Sequence, residues 1–209
     1  MVNVCIADNF PVEHFAMKAY FKNHAEISIV SNVGNFFMVP DALKNREIDI
    51  LIIDLELEGL KSIYEIKSII RSFPKTKVIV FSNLSEHIYA PNAIKAGCAG
   101  YVHKTSKLEN LGIAIVKVNQ GQIILNYEIT KNLALIAKQN KSERLYRKLS
   151  NREIEVLRFL SDGKRNIEIA KILTLNEKTI NSYKIRLLIK LNVTNLIDLV
   201  NKAKTLEFV

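Results

Sequence analysis

The sequence predicts an α/β protein, a five-stranded, doubly wound parallel sheet, followed by a small all-α domain with a helix-turn-helix. Three observations carry that expectation. Five short β-branched runs alternate with longer helical stretches over residues 1–120. The strand signal then stops, and from Leu149 onward the apolar residues repeat with helical period. The charge divides in the same region: residues 1–125 hold 13 Lys/Arg against 12 Asp/Glu, residues 126–209 hold 17 against 9.

The five runs are Val2–Ala7, Ile27–Val33, Ile50–Ile53, Val78–Phe81 and Gly100–Val102. Continuous apolar strands need cover on both faces, which crossover helices supply in a parallel sheet. The helical segments between them include Pro11–Asn23, Lys61–Ser72 and Ser106–Gln120. After Gly121 an amphipathic helix is expected over 128–139 (Glu128, Ile129, Leu133, Ile136, Ala137), then a basic linker over Lys138–Lys148. Ser150-Asn151-Arg152-Glu153 is a capping box before Ile154, Val156, Leu157 and Leu160, and Asp162-Gly163 ends that helix. A second short helix from Asn166 turns Ile169, Ala170, Ile172 and Leu173 inward. Thr174-Leu175-Asn176 makes a tight turn, and Asn176 caps a third helix from Glu177 to Lys190. A last helix runs from Asn195 to Lys204. The expected domains are therefore 1–122, a linker with a helix over 123–147, and 148–209.

Composition narrows the class. An apolar content of 48% with seven Gly and four Pro excludes a disordered or collagen-like chain. Cys5 and Cys98 lie far apart in apolar surroundings, which is neither a disulfide framework nor a metal cluster, and they read as buried thiols of a reducing compartment. No charged leader and no apolar run near the roughly 20 residues of a membrane span is present, so the expected location is the cytoplasm. The basic second half points to a polyanion, nucleic acid or an anionic membrane surface.

Chemistry in an open parallel sheet collects beyond the carboxyl ends of the strands. There the first run ends in Asp8, the third in Asp54 and the fourth in Ser82, and Lys104 follows the fifth. Two neighbouring carboxylates resist joint ionisation unless a cation joins them, and Mg²⁺ accepts carboxylate oxygen while keeping positions open for phosphate oxygens. One carboxylate is then suited to attack a phosphoryl group, with the ammonium neutralising charge. These residues, together with Ala7-Asp8, Val80-Phe81-Ser82 and Ala96-Gly97-Cys98-Ala99-Gly100-Tyr101-Val102-His103-Lys104, resemble the receiver domain of two-component response regulators over residues 2 to about 120. The resemblance implies a flavodoxin-like fold, Asp54 as phosphoacceptor, and Mg²⁺ held by Asp8, Asp54 and the Glu56 backbone, with Asn9 as a further candidate ligand. It also implies Ser82, Tyr101 and Lys104 as the groups that read the phosphoryl. The chain departs from the family at Asn9, where a second acid is usual, so magnesium affinity is expected to fall. Leu55-Glu56-Leu57-Glu58-Gly59 replaces a usual Met-Pro loop, with the Glu56 carboxylate placed to restore the charge. Asn83 replaces a small residue and is expected to crowd the route to Asp54.

The third helix of the basic half separates into faces. Ile180, Tyr183, Leu187 and Leu191 recur at three- and four-residue spacing and face inward, while Lys178, Asn181, Ser182 and Ile185 form an outer stripe with Lys184 beside it. In a major groove Asn suits adenine, Ser several base edges and Ile a thymine methyl. Lys164, Arg165, Lys171, Lys184, Arg186 and Lys190 suit phosphates. Residues 149–204, with Leu149 to Leu157, Gly163, Ile167-Glu168-Ile169-Ala170, Lys178-Thr179-Ile180 and Lys190-Leu191, resemble the LuxR-type helix-turn-helix. Receiver plus this module is the NarL/FixJ arrangement, and Asn181-Ser182-Tyr183-Lys184 resembles the subgroup containing BvgA and EvgA. The resemblance implies double-stranded DNA as ligand, Thr179 on the recognition helix, and a homodimer on inverted repeats through Leu196, Leu199, Val200 and Ala203 of the last helix.

The expected function is a DNA-binding transcriptional regulator, not an enzyme, switched when a sensor histidine kinase phosphorylates Asp54. Two other readings share these residues. One is a regulator that works without phosphate, given Asn9 and the altered loops. The other is a Mg²⁺-dependent phosphatase of the haloacid dehalogenase type. That chemistry uses a second Asp two residues after its nucleophile, whereas Asp8 is followed by Asn9-Phe10 and Asp54 by Leu55-Glu56.

Overall fold

The structure is a computed structural model that describes residues 1–125, 149–191 and 193–205. The helix expected over 128–139 and the linker over 138–148 lie outside the described residues. The chain divides into two units, Met1–Tyr127 and Glu128–Val209.

The first unit alternates strand and helix: β1 (Val2–Ala7), α1 (Pro11–Phe21), β2 (Ile27–Val33), a 3₁₀ turn (Phe36–Met38), α2 (Val39–Asn45), β3 (Ile50–Ile53), α3 (Ile63–Ser72), β4 (Lys77–Ser82), α4 (Glu86–Ala96), β5 (Gly100–His103) and α5 (Leu108–Asn119). The five strands are parallel in the order β2-β1-β3-β4-β5. Strand residues alternate between two apolar layers. Val4, Ile6, Ile50, Ile52, Ile79 and Phe81 join Met17 and Phe21 of α1 and Leu111, Ala114, Ile115 and Val118 of α5 in one core. Cys5, Leu51, Ile53 and Val80, on the alternate positions, are fully buried as well. Such two-sided burial explains why these strands read as unbroken apolar runs.

The helix boundaries have local causes. Pro11, with its fixed φ and missing N–H, opens α1. Two helices were not individually expected, and both carry proline: α2 is seven residues long with Pro at its start, and α4 contains Pro91. A mid-helix proline removes one backbone bond and masks the helical signal.

After α5 the chain returns to the sheet. The Ile124 N–H donates to the Ala99 carbonyl at 2.8 Å and the Tyr101 N–H to the Ile124 carbonyl at 3.2 Å. Ile124 thereby makes an isolated parallel bridge to Gly100, two residues past the expected domain end.

The second unit contains α6 (Asn151–Ser161), α7 (Asn166–Leu173), α8 (Glu177–Leu191) and α9 (Leu196–Thr205). The Ser150/Glu153 capping box forms at both of its bonds. Gly163, at φ +76, closes α6. Ile154, Val156, Leu157, Leu160, Ile169, Ala170, Leu173, Ile180, Leu187 and Leu191 make the core, as the periodicity implies. Ile172 and Tyr183 are half-buried. Leu199 and Ala203 complete that core with no exposed surface. Their burial corrects the expectation that both belong to a dimer seam, since a side chain spent on its own core has no surface for a partner.

Candidate functional site

The strand order reverses between β1 and β3, so the loops after these strands leave in opposite directions and open a crevice at their carboxyl ends. Ala7 and Ile53 are paired across that point. The next residues, Asp8 and Asp54, are nearly fully buried beside one another. Their backbones are pinned: the Asp8 N–H donates to Val33 at 3.1 Å and the Asp54 N–H to Ala7 at 3.0 Å.

Lys104 brings the carboxylates together. Its Nζ donates to Asp8 Oδ2 at 2.5 Å and to Asp54 Oδ2 at 2.8 Å, with all three side chains 3–4% exposed. Burial alone pulls the Lys104 ammonium toward neutrality, but hydrogen bonds to and the charges of Asp54 and Asp8 outweigh it, so its pKa lies above the ordinary lysine value. The second oxygen of each acid is also used. Asp8 Oδ1 accepts the Phe10 N–H at 2.8 Å. Asp54 Oδ1 accepts the Ser82 hydroxyl at 2.7 Å and the Glu56 N–H at 3.1 Å. Tyr101 lies inside, 1% exposed, and its hydroxyl donates to the Leu84 carbonyl at 2.8 Å. Burial, followed by the negative charge around it, raises its pKa strongly, so it acts as a neutral donor.

Asn9 has a role that residue type alone did not disclose. Its Nδ2 donates to the Glu56 carbonyl at 2.7 Å, and its Oδ1 accepts the Glu58 N–H at 2.6 Å. The side chain therefore braces the loop after Asp54. The Glu56 carboxylate is exposed, and it is the Glu56 backbone that faces the pocket through the bonds to Asp54 and Asn9. The same loop bonds the β2 side through Phe36 N–H to the Glu58 carbonyl at 2.8 Å. Gly59, at φ +84, is required there because a Cβ would come within 2.9 Å of Asn35 and Phe37. Asn83 is exposed, and its carbonyl lies 3.0 Å from His103 Nε2. His103 was not singled out in sequence. Its link to the loop after β4 joins strand ends 20 residues apart and has no local signature.

The oxygens of Asp8, Asp54 and the Glu56 carbonyl form a hard-donor set. Two acids against one ammonium leave the pocket with one net negative charge. That chemistry fits Mg²⁺, with one charge fewer than a second acid at position 9 would supply.

In the second unit the turn from α7 to α8 carries Thr174 in the left-handed region, φ 55. Asn176 Oδ1 accepts both the Thr179 N–H at 2.8 Å and the Thr179 hydroxyl at 2.9 Å, so Thr179 belongs to the cap that starts α8. Lys178, Asn181, Ser182, Ile185 and Arg186 are exposed, and Lys184 is half-buried. Ser182 donates to the Lys178 carbonyl at 3.0 Å, and Arg186 lies over the Tyr183 ring at 5.7 Å. Ile185 is 48% exposed in a polar stripe, and Ile189, one turn on, is 72% exposed.

Two expected phosphate contacts have other partners. Lys190 Nζ donates to buried Glu153 at 2.7 Å, fastening α8 to α6, and exposed Arg165 pairs with Glu168 at 3.3 Å. On α9, Leu196 and Ile197 are exposed and Val200 is half-buried, so the surface left for association is this strip rather than the expected four residues.

Comparison with known proteins fits this geometry. Residues 4–116 match the response regulator receiver domain, and residues 147–203 match the LuxR family of bacterial regulatory proteins. The chain belongs to the response regulators that join a receiver to a LuxR-type DNA-binding domain. The Fimbriae Z protein of Escherichia coli K12 is 30% identical, over 99% of this chain and 98% of the relative. Response regulator UvrY of the same strain is 27% identical, over 97% and 94%. RcsB from Salmonella enterica serovar Typhimurium, solved on promoter rprA with the phosphomimetic BeF₃⁻, superposes with TM-score 0.78 at 28% identity, over 97% and 98% of the two chains. A second Salmonella RcsB structure gives 0.81 at 27%, over 99% and 98%. Among the described residues no helix is long and apolar enough to cross a membrane.

Proposed function

We propose that Asp54 accepts a phosphoryl group from a sensor histidine kinase and that this event sets how a homodimer of the chain occupies inverted-repeat promoter DNA in the cytoplasm. The observation that carries the reading is the meeting of Asp8, Lys104, Asp54 and Ser82 in one continuous chain of hydrogen bonds. An Asp54 carboxylate oxygen attacks the phosphorus of a phosphohistidine, the P–N bond breaks, and the imidazole nitrogen leaves with the bonding pair. Asp8, Asp54 and the Glu56 carbonyl would hold Mg²⁺, which neutralises phosphoryl oxygen charge when bound. The Lys104 ammonium transfers one of its bonds to a phosphoryl oxygen, and Ser82 donates to another. The phosphoryl adds nearly two negative charges, which biases the pocket toward the arrangement these donors favour. On DNA, Asn181, Ser182 and Ile185 read bases, while Lys178, Lys184 and Arg186 contact phosphates. The relative solved on promoter DNA supports DNA as the ligand of this unit.

The test is mass spectrometry after exposure to a phosphorylated kinase or a small phosphodonor with Mg²⁺. One phosphoryl group is expected on the wild type and none on Asp54→Ala. A specific observation favours a second reading, in which the receiver acts without phosphate: Ser82 already bonds Asp54, and Tyr101 is already inside. DNA affinity that is identical in wild type and Asp54→Ala under phosphodonor selects that second reading.

A further inference from the structure

We infer that Asn9 is the positioning residue that substitutes for a cation in this pocket: it braces the loop after Asp54 without metal and, by the same bonds, sets a weak magnesium affinity. The inference rests on the proposed reading in one respect, that Asp8, Asp54 and the Glu56 carbonyl are the metal donors.

The geometry supplies both halves. The Glu56 carbonyl, third oxygen of the donor set, already accepts the Asn9 Nδ2 proton at 2.7 Å, and Asn9 Oδ1 takes the Glu58 N–H at 2.6 Å. One amide thus satisfies an acceptor and a donor two residues apart on a loop whose other anchors include the Glu56 N–H to the Asp54 carboxylate, the Leu57 N–H to the Asp54 carbonyl and the Phe36 N–H to the Glu58 carbonyl. A carboxylate at position 9 would keep the bond to the Glu58 N–H but would have no proton for the Glu56 carbonyl. That carbonyl would then need another electropositive partner, and a divalent ion is one. The Asn9 N–H carries its own partial positive charge against the Glu56 oxygen, so it lowers the benefit of placing a cation there. Lys104 acts in the same sense on the other two donors, occupying one oxygen of each acid. The pocket is thereby held together by an amide and an ammonium.

The experiment uses the full chain without any phosphodonor, so its outcome is independent of whether Asp54 is phosphorylated. Wild type, Asn9→Asp and Asn9→Ala are titrated with MgCl₂ by calorimetry and melted in EDTA and in MgCl₂. Asn9→Asp is expected to bind Mg²⁺ about tenfold more tightly, since it adds a unit charge beside the donor set and removes the amide proton from the Glu56 oxygen. Its receiver melts lower than wild type in EDTA and is restored by magnesium, while the wild-type melt is nearly insensitive to magnesium. Asn9→Ala melts lower in EDTA and gains less affinity than Asn9→Asp, because it loses the brace without adding charge. Hydrogen exchange of segment 55–59 in the wild type gives a second readout that needs no variant: protection is expected to be present in EDTA and unchanged by magnesium. Equal affinity of wild type and Asn9→Asp overturns the role in metal affinity, and a wild-type segment 55–59 that is unprotected until magnesium is added overturns the brace.

Discussion

Replacing Lys104 with Met keeps most of the apolar stem and removes the charge that joins the two acids. Both Asp8 Oδ2 and Asp54 Oδ2 bond the same nitrogen, at 2.5 and 2.8 Å, so about 5 Å or less separates them. At an effective dielectric of about 20, two unit charges at that distance repel by about 3 kcal/mol. Breaking a buried pair by removal of one partner costs about 3–5 kcal/mol, which agrees in size. The Lys104 pKa is raised in the fold, so the ammonium contributes its stability throughout the range below the ordinary lysine value and loses it as pH rises through the folded one. The measurement is hydrogen exchange of the β1 and β3 amides, which reports opening of this sheet alone. In EDTA at pH 7.5 the variant is expected to open about 3 kcal/mol more easily than wild type. That deficit shrinks when magnesium is added, because a divalent ion held by the two acids offsets their repulsion. A variant as stable as wild type at pH 7.5 refutes the electrostatic account. A deficit that magnesium does not reduce assigns the role to the packing of the stem.

Three other outcomes follow from the second unit. Burial pushes the Glu153 carboxyl up, yet its bonds to Lys190 and Ser150 win and hold it below the ordinary value; its stabilisation is therefore complete above about pH 4.3 and lost as pH falls through the lower folded value. Glu153→Gln should cost about 2 kcal/mol at pH 7 in denaturant unfolding, less than a fully buried pair because Lys190 is partly exposed, and should flatten the acid limb. Thr174→Gly relieves a β-branched residue of a left-handed conformation at φ 55 and is expected to raise unfolding stability of the helical unit by about 1 kcal/mol. If Ile185 meets a thymine methyl, uracil in place of that thymine weakens binding by wild type and not by Ile185→Ala, read by fluorescence anisotropy; equal losses for both proteins remove Ile185 from base reading.

The residues that terminate strands were legible because a polar side chain directly after an unbroken apolar run has little reason to be there except function. Asp8, Asp54 and Ser82 carry that contrast, Lys104 comes one residue later behind His103, and the four converge. The Ser150/Glu153 box and the Asn176 cap were legible because helix starts are decided within four residues. What escaped is what depends on chain segments far apart. Lys190 and Glu153 are separated by 37 positions, and nothing near either one distinguishes a structural lysine from one that awaits a phosphate. Asn9 was visible as a departure, but its two bonds fall on backbone atoms 47 and 49 residues away, where side-chain identity carries no information. In α9 a single apolar stripe serves two environments. Period alone cannot divide Leu199 and Ala203, which are buried, from Leu196, which is exposed.

The return of Ile124 to Gly100 has a consequence for handling and engineering the protein. The outer rim of a terminal strand is a row of free amide groups that invites a foreign strand to add itself. Here the polypeptide shields part of that rim with its own departing segment, through Ala99, Tyr101 and Ile124. Fragments that stop at Gly121 would lay the rim bare and favour self-association, whereas fragments extended through Leu125 keep it sheathed.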